Sequence, residues 1–163
     1  MDQAKLPATA DLIDAHPDTP SCALPFLSFG RRRRFAGRIR TVKSYQDNVL
    51  LKELLGKPSQ GEVLVVDGGG SLACALIGDM IAMLGMNSGW AGAVVYGAIR
   101  DSVAIEALDF GIKALGTNPR KSTKNGDGLV DVPVSFGGVN FVPGHWLYSD
   151  EDGILVSLKP LAA

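Results

Sequence analysis

Two stretches of this 163-residue chain, Val63-Leu64-Val65-Val66 and Ala93-Val94-Val95-Tyr96-Gly97, are apolar without interruption and rich in β-branched residues. A strand with one wet face alternates polar and apolar side chains. A strand that is apolar throughout is covered on both faces. Both runs therefore read as buried strands with further structure layered above and below. Hydrophobic residues make up 46% of the chain and charged residues 20%, enough apolar material for a sizeable core in one domain spanning 1–163.

The rest of the chain fits around these strands. Residues 1–8 read as loose, and 9–14 as a short helix capped by Thr9. Residues 35–44 alternate as a strand. Residues 47–55 (DNVLLKELL) read as an amphipathic helix that stops at Gly56-Lys57-Pro58. A short strand is expected over 73–77, then a helix over 79–86 that is apolar nearly all round and so expected to be buried. A short helix over 102–108 and a strand over 111–115 follow. Gly137-Gly138 lies between two apolar runs and signals a hairpin. A second hairpin closes at the acidic turn Asp150-Glu151-Asp152-Gly153, expected to be solvated. The chain thus mixes β-α units in its middle with antiparallel hairpins at its end.

Charge and composition exclude several roles. Sixteen Lys and Arg against seventeen Asp and Glu leave a net charge of −1, so direct nucleic-acid binding is not expected. Cys22 and Cys74 cannot form a disulfide framework or a four-cysteine zinc site, and Cys74 reads as buried. No apolar run approaches the ~18–20 residues of a membrane span, and the N-terminus lacks a signal-peptide pattern. A cytoplasmic location is expected. Six arginines within residues 31–40 form the strongest charge feature. They read as a solvated edge or an intersubunit ion-pair network, with an acidic partner surface as the alternative.

Three places could carry chemistry. Asp67-Gly68-Gly69-Gly70 follows a strand, and Gly68-x-Gly70-x-x-Ala73 fits the letters of a dinucleotide fingerprint. The next segment reads as extended, however, and no acid stands at the required distance, so a structural turn is the better reading. Gly78-Asp79-Met80-Ile81 opens a helix straight after a strand. Its free N–H groups could hold a carboxylate or phosphate, unless Asp79 caps them. Arg100-Asp101 follows the strand through residue 99. There Arg offers a fork for a carboxylate or keto oxygen, and Asp a hard oxygen for Mg²⁺ or Mn²⁺. The alternative is an ordinary helix start with Asp101 as cap. His16 and His145 are isolated.

The strings LVVDGGGSL (64–72), Gly78-Asp79, YGAIRD (96–101), ALGTNPRKS (114–122) and Asp150 to Gly153 together resemble one family over about residues 9–157. It comprises regulators of ribonuclease E activity and 4-hydroxy-4-methyl-2-oxoglutarate aldolases; some members carry an older menaquinone-pathway methyltransferase label. The resemblance implies an α/β fold of the three-layer β/β/α swivelling-domain, phosphohistidine-domain-like type. It implies a homotrimer, or a hexamer, with sites between subunits. It also implies a class II, metal-dependent lyase that cleaves 4-hydroxy-4-methyl-2-oxoglutarate to two pyruvates and decarboxylates oxaloacetate. The family's substrate-binding pattern falls here on Gly78, Asp79, Met80, Ile81 and Arg100, and its metal-binding aspartate on Asp101, with Mg²⁺ or Mn²⁺ as cofactor. Members known as ribonuclease regulators can lack that aspartate, so its presence favours the lyase branch over a non-catalytic regulator that binds ribonuclease E. One departure stands out. Where the aldolases carry an acidic residue three positions after the aspartate, this chain has Ala104. Glu106 stands two residues further on, a rotation of about 200° on a helix.

Overall fold

The computed structural model describes residues 1–161. In chain order the elements are α1 (Thr9–Ala15), β1 (Leu27–Phe29), β2 (Phe35–Lys43), α2 (Val49–Leu55), β3 (Val63–Asp67), β4 (Ala75–Ile77), α3 (Asp79–Asn87), β5 (Gly92–Ile99), α4 (Ser102–Ile105) and β6 (Gly111–Thr117), followed by β7 (Leu129–Val130), β8 (Val134–Phe136), β9 (Val139–Phe141), β10 (Trp146–Ser149) and β11 (Ile154–Ser157). Nine strands form one curled mixed sheet. Its main path runs β1-β6-β5-β3-β2-β10-β11, with β4 on β5 and β7 on β2. The β2-β3-β5-β6 centre is parallel, and both flanks are antiparallel.

The two apolar runs lie in β3 and β5, and alternation sends their side chains to opposite faces. Leu64, Val66, Ala93 and Val95 pack under Leu51, Leu54 and Leu55 of α2 and Ile81 and Ala82 of α3. Val63, Val65 and Val94 point the other way. They meet Phe136 and Phe141 of the β8-β9 hairpin and Leu147, Ile154 and Val156 of β10-β11. The result is three layers, helices over a parallel centre over hairpins, and both expected hairpins are present. Phe136 stacks between Tyr96 and Phe141, with centroid distances of 4.6 and 4.4 Å.

The structure corrects several local expectations. Residues 1–8 are not loose. A 3-10 turn at Gln3–Lys5 is capped by Asp2, Gln3 exchanges two hydrogen bonds with the Ala36 backbone, and Leu6 is buried. Thr9 does not cap α1; Ala8 holds that position. Helix α3 is not buried all round, since Met80 and Met83 are exposed on its outer face. Helix α4 is a single turn ending at Ile105, and β4 begins only at Ala75.

The acidic turn is only partly solvated. Asp150 is 2% exposed. It accepts hydrogen bonds from Thr9 N–H at 2.7 Å, Thr9 Oγ1 at 2.6 Å and Asp152 N–H at 2.9 Å. These ties fasten α1 to the end of β10. Burial alone would push the Asp150 carboxyl up, but the donors of Thr9 and of its own turn hold it below the usual range. The turn also faces Lys113, a buried lysine of β6. Burial pushes the Lys113 ammonium down, and Asp150, Glu151 and Asp152 pull against that.

Most of the arginine cluster is engaged within the chain rather than left free at a solvated edge. Arg32 pairs with Asp109, Arg33 with Glu106 and Arg40 with Asp131. Arg34 donates to Leu6 C=O, and Arg38 lies over the Trp146 ring. The cluster is largely spent on fastening loops to the sheet.

Because folding lowers the Asp150 pKa, its stabilising contribution is present above the unfolded value, near 4, and is lost as pH falls through the folded one. Asp150→Asn should therefore lower stability at pH 7 by about 2–3 kcal/mol. It should also flatten the loss of Tm between pH 5 and pH 3, both read by thermal melts across pH.

Candidate functional site

The site lies at the carboxyl ends of β4 and β5, where ligands collect in open parallel sheets. Arg100 N–H bonds back to Ile77 C=O at 2.9 Å, which holds the two strand ends side by side. Gly78 and α3 leave one end; Arg100 and Asp101 leave the other. A cavity of about 380 Å³ opens between them. Gly78, Asp79, Met80, Ile81, Arg100 and Asp101, all singled out in the sequence, line it together.

Asp101 does not cap α4 with its side chain. It sits at the N-cap position in the left-handed region, φ 57°, ψ 38°, which is uncommon for a residue with a side chain. Its carboxylate is turned instead toward the start of α3, where Oδ2 accepts the Asp79 N–H at 3.2 Å. The same oxygen stands 3.9 Å from Arg100 Nε. Gly78 makes this approach possible, since a Cβ there would come 2.7 Å from Asp101 Oδ2. Asp79 is the first residue of α3, and its Oδ1 accepts the Met80 N–H at 2.8 Å. The Ala82 N–H bonds back to Gly78 C=O, which leaves the Ile81 N–H as the open donor of the first turn among the described residues. Arg100 Nη1 donates to Pro119 C=O at 3.3 Å.

Five further polar side chains line it without having been singled out in the sequence: Asn48 and Lys52 from α2 and its start, and Lys121, Ser122 and Lys124 from the long segment after β6. That segment crosses the carboxyl edge of the sheet. Asn118 N–H bonds to Ile99 C=O, and Ala75 N–H to Arg120 C=O. It is pinned by Asp47, 1% exposed, which accepts from Val49 N–H, Thr123 Oγ1, Asn125 N–H and Gly126 N–H. Burial pushes the Asp47 carboxyl up, but these donors hold it below its ordinary range. A lysine on a loop has no periodic signal, so nothing in the sequence placed Lys121 or Lys124 opposite α3.

Other features are structural. Gly68 and Gly70 N–H both bond to Tyr96 C=O, and Gly69 N–H to Asp67 Oδ1. The glycine-rich turn thus spends its donors internally and offers no phosphate cradle. Glu106 accepts from Arg33 Nη2 at 2.6 Å and from Gly30 N–H, so it does not reach toward Asp101. Cys74 is buried, as expected. His16 and His145 line a separate open groove of about 790 Å³. Among the described residues no group of three His, Cys, Asp or Glu side chains could hold a metal by itself, and no helix is long and apolar enough to cross a membrane.

A family model for RraA-like proteins, described as Aldolase/RraA, matches residues 9–156. The chain belongs to the RraA-like family. A Geobacillus kaustophilus structure, titled S-adenosylmethionine: 2-dimethylmenaquinone methyltransferase, is 46% identical over 95% of this chain and 97% of that one, with a TM-score of 0.93. The RNA-processing inhibitor RraA from Thermus thermophilis is 44% identical over 95% and 94%, with a TM-score of 0.92. RraAS2 of Streptomyces coelicolor, an unusual member of the RNase ES inhibitor RraA family, is 31% identical over 96% and 79%, with a TM-score of 0.69. The expected family and mixed α/β fold are both found, and the RraA-like family brings aldolases and ribonuclease inhibitors under one architecture.

Asp47→Ala should release the 118–126 wall while leaving the sheet folded. Hydrogen exchange at the Asn125 and Gly126 amides should then rise at least about tenfold, with β3 and β5 amides far less affected.

Proposed function

We propose that this chain is a divalent-metal-dependent carbon–carbon lyase. It would cleave 4-hydroxy-4-methyl-2-oxoglutarate to two pyruvates and decarboxylate oxaloacetate. The observation that carries this reading is the meeting of the α3 N-terminus, Arg100 and Asp101 in one pocket. The donor set suits such an ion. The Asp101 side chain is 40% exposed, and Mg²⁺ or Mn²⁺ is commonly held by one or two carboxylates with water and substrate oxygens filling the other positions. When bound, the ion supplies Lewis-acid stabilisation of negative charge on the substrate's keto oxygen.

The chain's own groups supply the rest. The open Ile81 N–H and the dipole of α3 receive the substrate C1 carboxylate. In aldol cleavage the C4 hydroxyl loses its proton and the C3–C4 bond breaks. C4 becomes the carbonyl of one pyruvate, and the bonding electrons pass to the C2 oxygen as the enolate of the other. Arg100 places its fork against that enolate. Asp79, the other carboxylate lining the pocket, takes the hydroxyl proton. Protonation at C3 completes the second pyruvate. Oxaloacetate reaches the same enolate by losing CO₂. No lysine Schiff base is required. A homotrimer would set this pocket beside a neighbouring subunit.

Purified protein should release pyruvate from both substrates above the metal-only background, and chelator should abolish the excess. Asp101→Asn tolerates the left-handed backbone and should lower turnover at least about 100-fold with Tm nearly unchanged. Arg100→Lys should also lose most activity, because a point charge cannot replace the fork. Full activity in Asp101→Asn would remove the assigned metal role.

A second reading, a regulator that binds and inhibits ribonuclease E, is favoured by the names of the Thermus and Streptomyces relatives. Titration against ribonuclease E at low salt tests it, with saturable binding expected. Absence of binding would dismiss it.

A further inference from the structure

Two of the four donors that Asp47 gathers are the backbone N–H groups of Asn125 and Gly126. Asn125-Gly126 is also the one Asn-Gly pair in the chain. The Asn125 side chain is exposed and makes no hydrogen bond among the described residues. Gly126 holds the left-handed region, φ 81°, and has no Cβ to shield its nitrogen. A free side-chain amide therefore stands next to an unhindered backbone nitrogen, on a segment with almost no regular structure.

These two groups can react with each other. The Gly126 nitrogen attacks Asn125 Cγ and gives up its proton. The bond from Cγ to the side-chain nitrogen breaks, and that nitrogen leaves as ammonia. Water then opens the resulting cyclic imide at one of its two carbonyl–nitrogen bonds. One opening gives aspartate. The other gives isoaspartate, in which the main chain runs through the former side chain. The sum is asparagine plus water to carboxylate plus ammonia, with no oxidant or further reactant. In the closed turn the attacking nitrogen is committed elsewhere. The Gly126 N–H bonds to Asp47 Oδ1 at 3.2 Å and the Asn125 N–H to Oδ2, so these bonds must break before the nitrogen swings onto Cγ. The same local opening exposes amides to hydrogen exchange, and the open population sets the rate of both processes.

We propose that Asn125 is a deamidation site that Asp47 holds in check, and that its conversion unfastens the wall of the pocket. Either product places a new negative charge beside a carboxylate that is 1% exposed, and like charges at that range repel. Isoaspartate also lengthens the main chain between the two N–H groups that share Asp47. Lys121 and Lys124, carried to the pocket by this segment, then lose their fixed placing. The change does not reverse in water, so it acts as a clock on the molecule rather than a switch. It concerns the wall itself and does not depend on the lyase reading.

The test incubates wild-type protein in warm, mildly alkaline buffer beside a synthetic peptide of residues 121–129 and the variants Asp47→Ala and Asn125→Gln. Ion exchange and peptide mass spectrometry follow the conversion of amide to acid. Conversion at Asn125 should outpace that at the other asparagines. It should run at least about tenfold slower in the wild type than in the peptide, and rise at least about tenfold in Asp47→Ala. Asn125→Gln, at an exposed position outside the left-handed region, should abolish it and keep the wild-type Tm. In the converted fraction, hydrogen exchange of the 118–126 amides should rise while that of β3 and β5 holds. Equal rates in wild type and peptide overturn the proposal, and this comparison decides even if Asp47→Ala fails to fold. An unchanged rate in a folded Asp47→Ala overturns it too. So does a wild-type Asn125 that converts no faster than the other asparagines, or a converted fraction whose 118–126 amides exchange as before.

Discussion

One buried carboxylate fixes the geometry of the pocket. Asp47 sits at the end of the turn between β2 and α2 and gathers four donors, one from the start of α2 and three from residues 123–126. The segment that leaves β6 has almost no regular structure of its own, and its backbone would otherwise be left to water. Asp47 converts it into a wall. Further along, the same segment bonds to the end of β5 through Asn118 and to β4 through Arg120. Lys121 and Lys124 reach the pocket because of these fastenings. A charged acceptor with several backbone donors is among the stronger neutral-pH fastenings available to a loop, and losing its charge would loosen the whole edge.

A second constraint is the crowding at the strand ends. Asp101 holds a left-handed backbone that a residue with a side chain adopts at a cost of about 1–3 kcal/mol, and it holds it against Gly78, where even a methyl group would collide. In return the carboxylate meets the start of α3 rather than its own helix. The result is a negative group, a guanidinium and a helix N-terminus within one small volume. Neither α3 nor the β5 end would present this arrangement alone.

The layers of the fold were legible from residues 63–66 and 93–97, because a strand covered on both faces leaves an unmistakable run of branched apolar side chains. The joining of Gly78–Ile81 to Arg100-Asp101 was legible too, because both pairs follow strand ends. Other features were hidden for a common reason, that their partners lie far off in sequence. Thr9 reads as a cap, but its hydroxyl serves Asp150, 141 residues away. The arginines of residues 31–40 read as a surface feature, yet most are taken up by Asp109, Glu106, Asp131 and Trp146. Local pattern predicts which residues can do a job. It does not say which neighbour has already done it.

The position of Ala104 gains meaning from these long-range ties. Glu106 could stand in for an acid at that position only by leaving Arg33 and the Gly30 amide, and a bidentate arrangement of that kind fixes the loop before β2 to the end of α4. Releasing it would expose an arginine and unfasten a loop in exchange for one pocket carboxylate. The pocket therefore keeps two acids, Asp79 and Asp101. Asp101 is turned toward the start of α3, where it accepts the Asp79 N–H, so on the lyase reading proton handling falls to Asp79, the less exposed of the two. A carboxylate beside water can pass a proton through it as readily as by direct contact, and on the lyase reading this suits a reaction whose proton must leave one carbon's hydroxyl and return to another carbon. On the lyase reading, the arginines that fasten the sheet thus also decide which carboxylate is free to act.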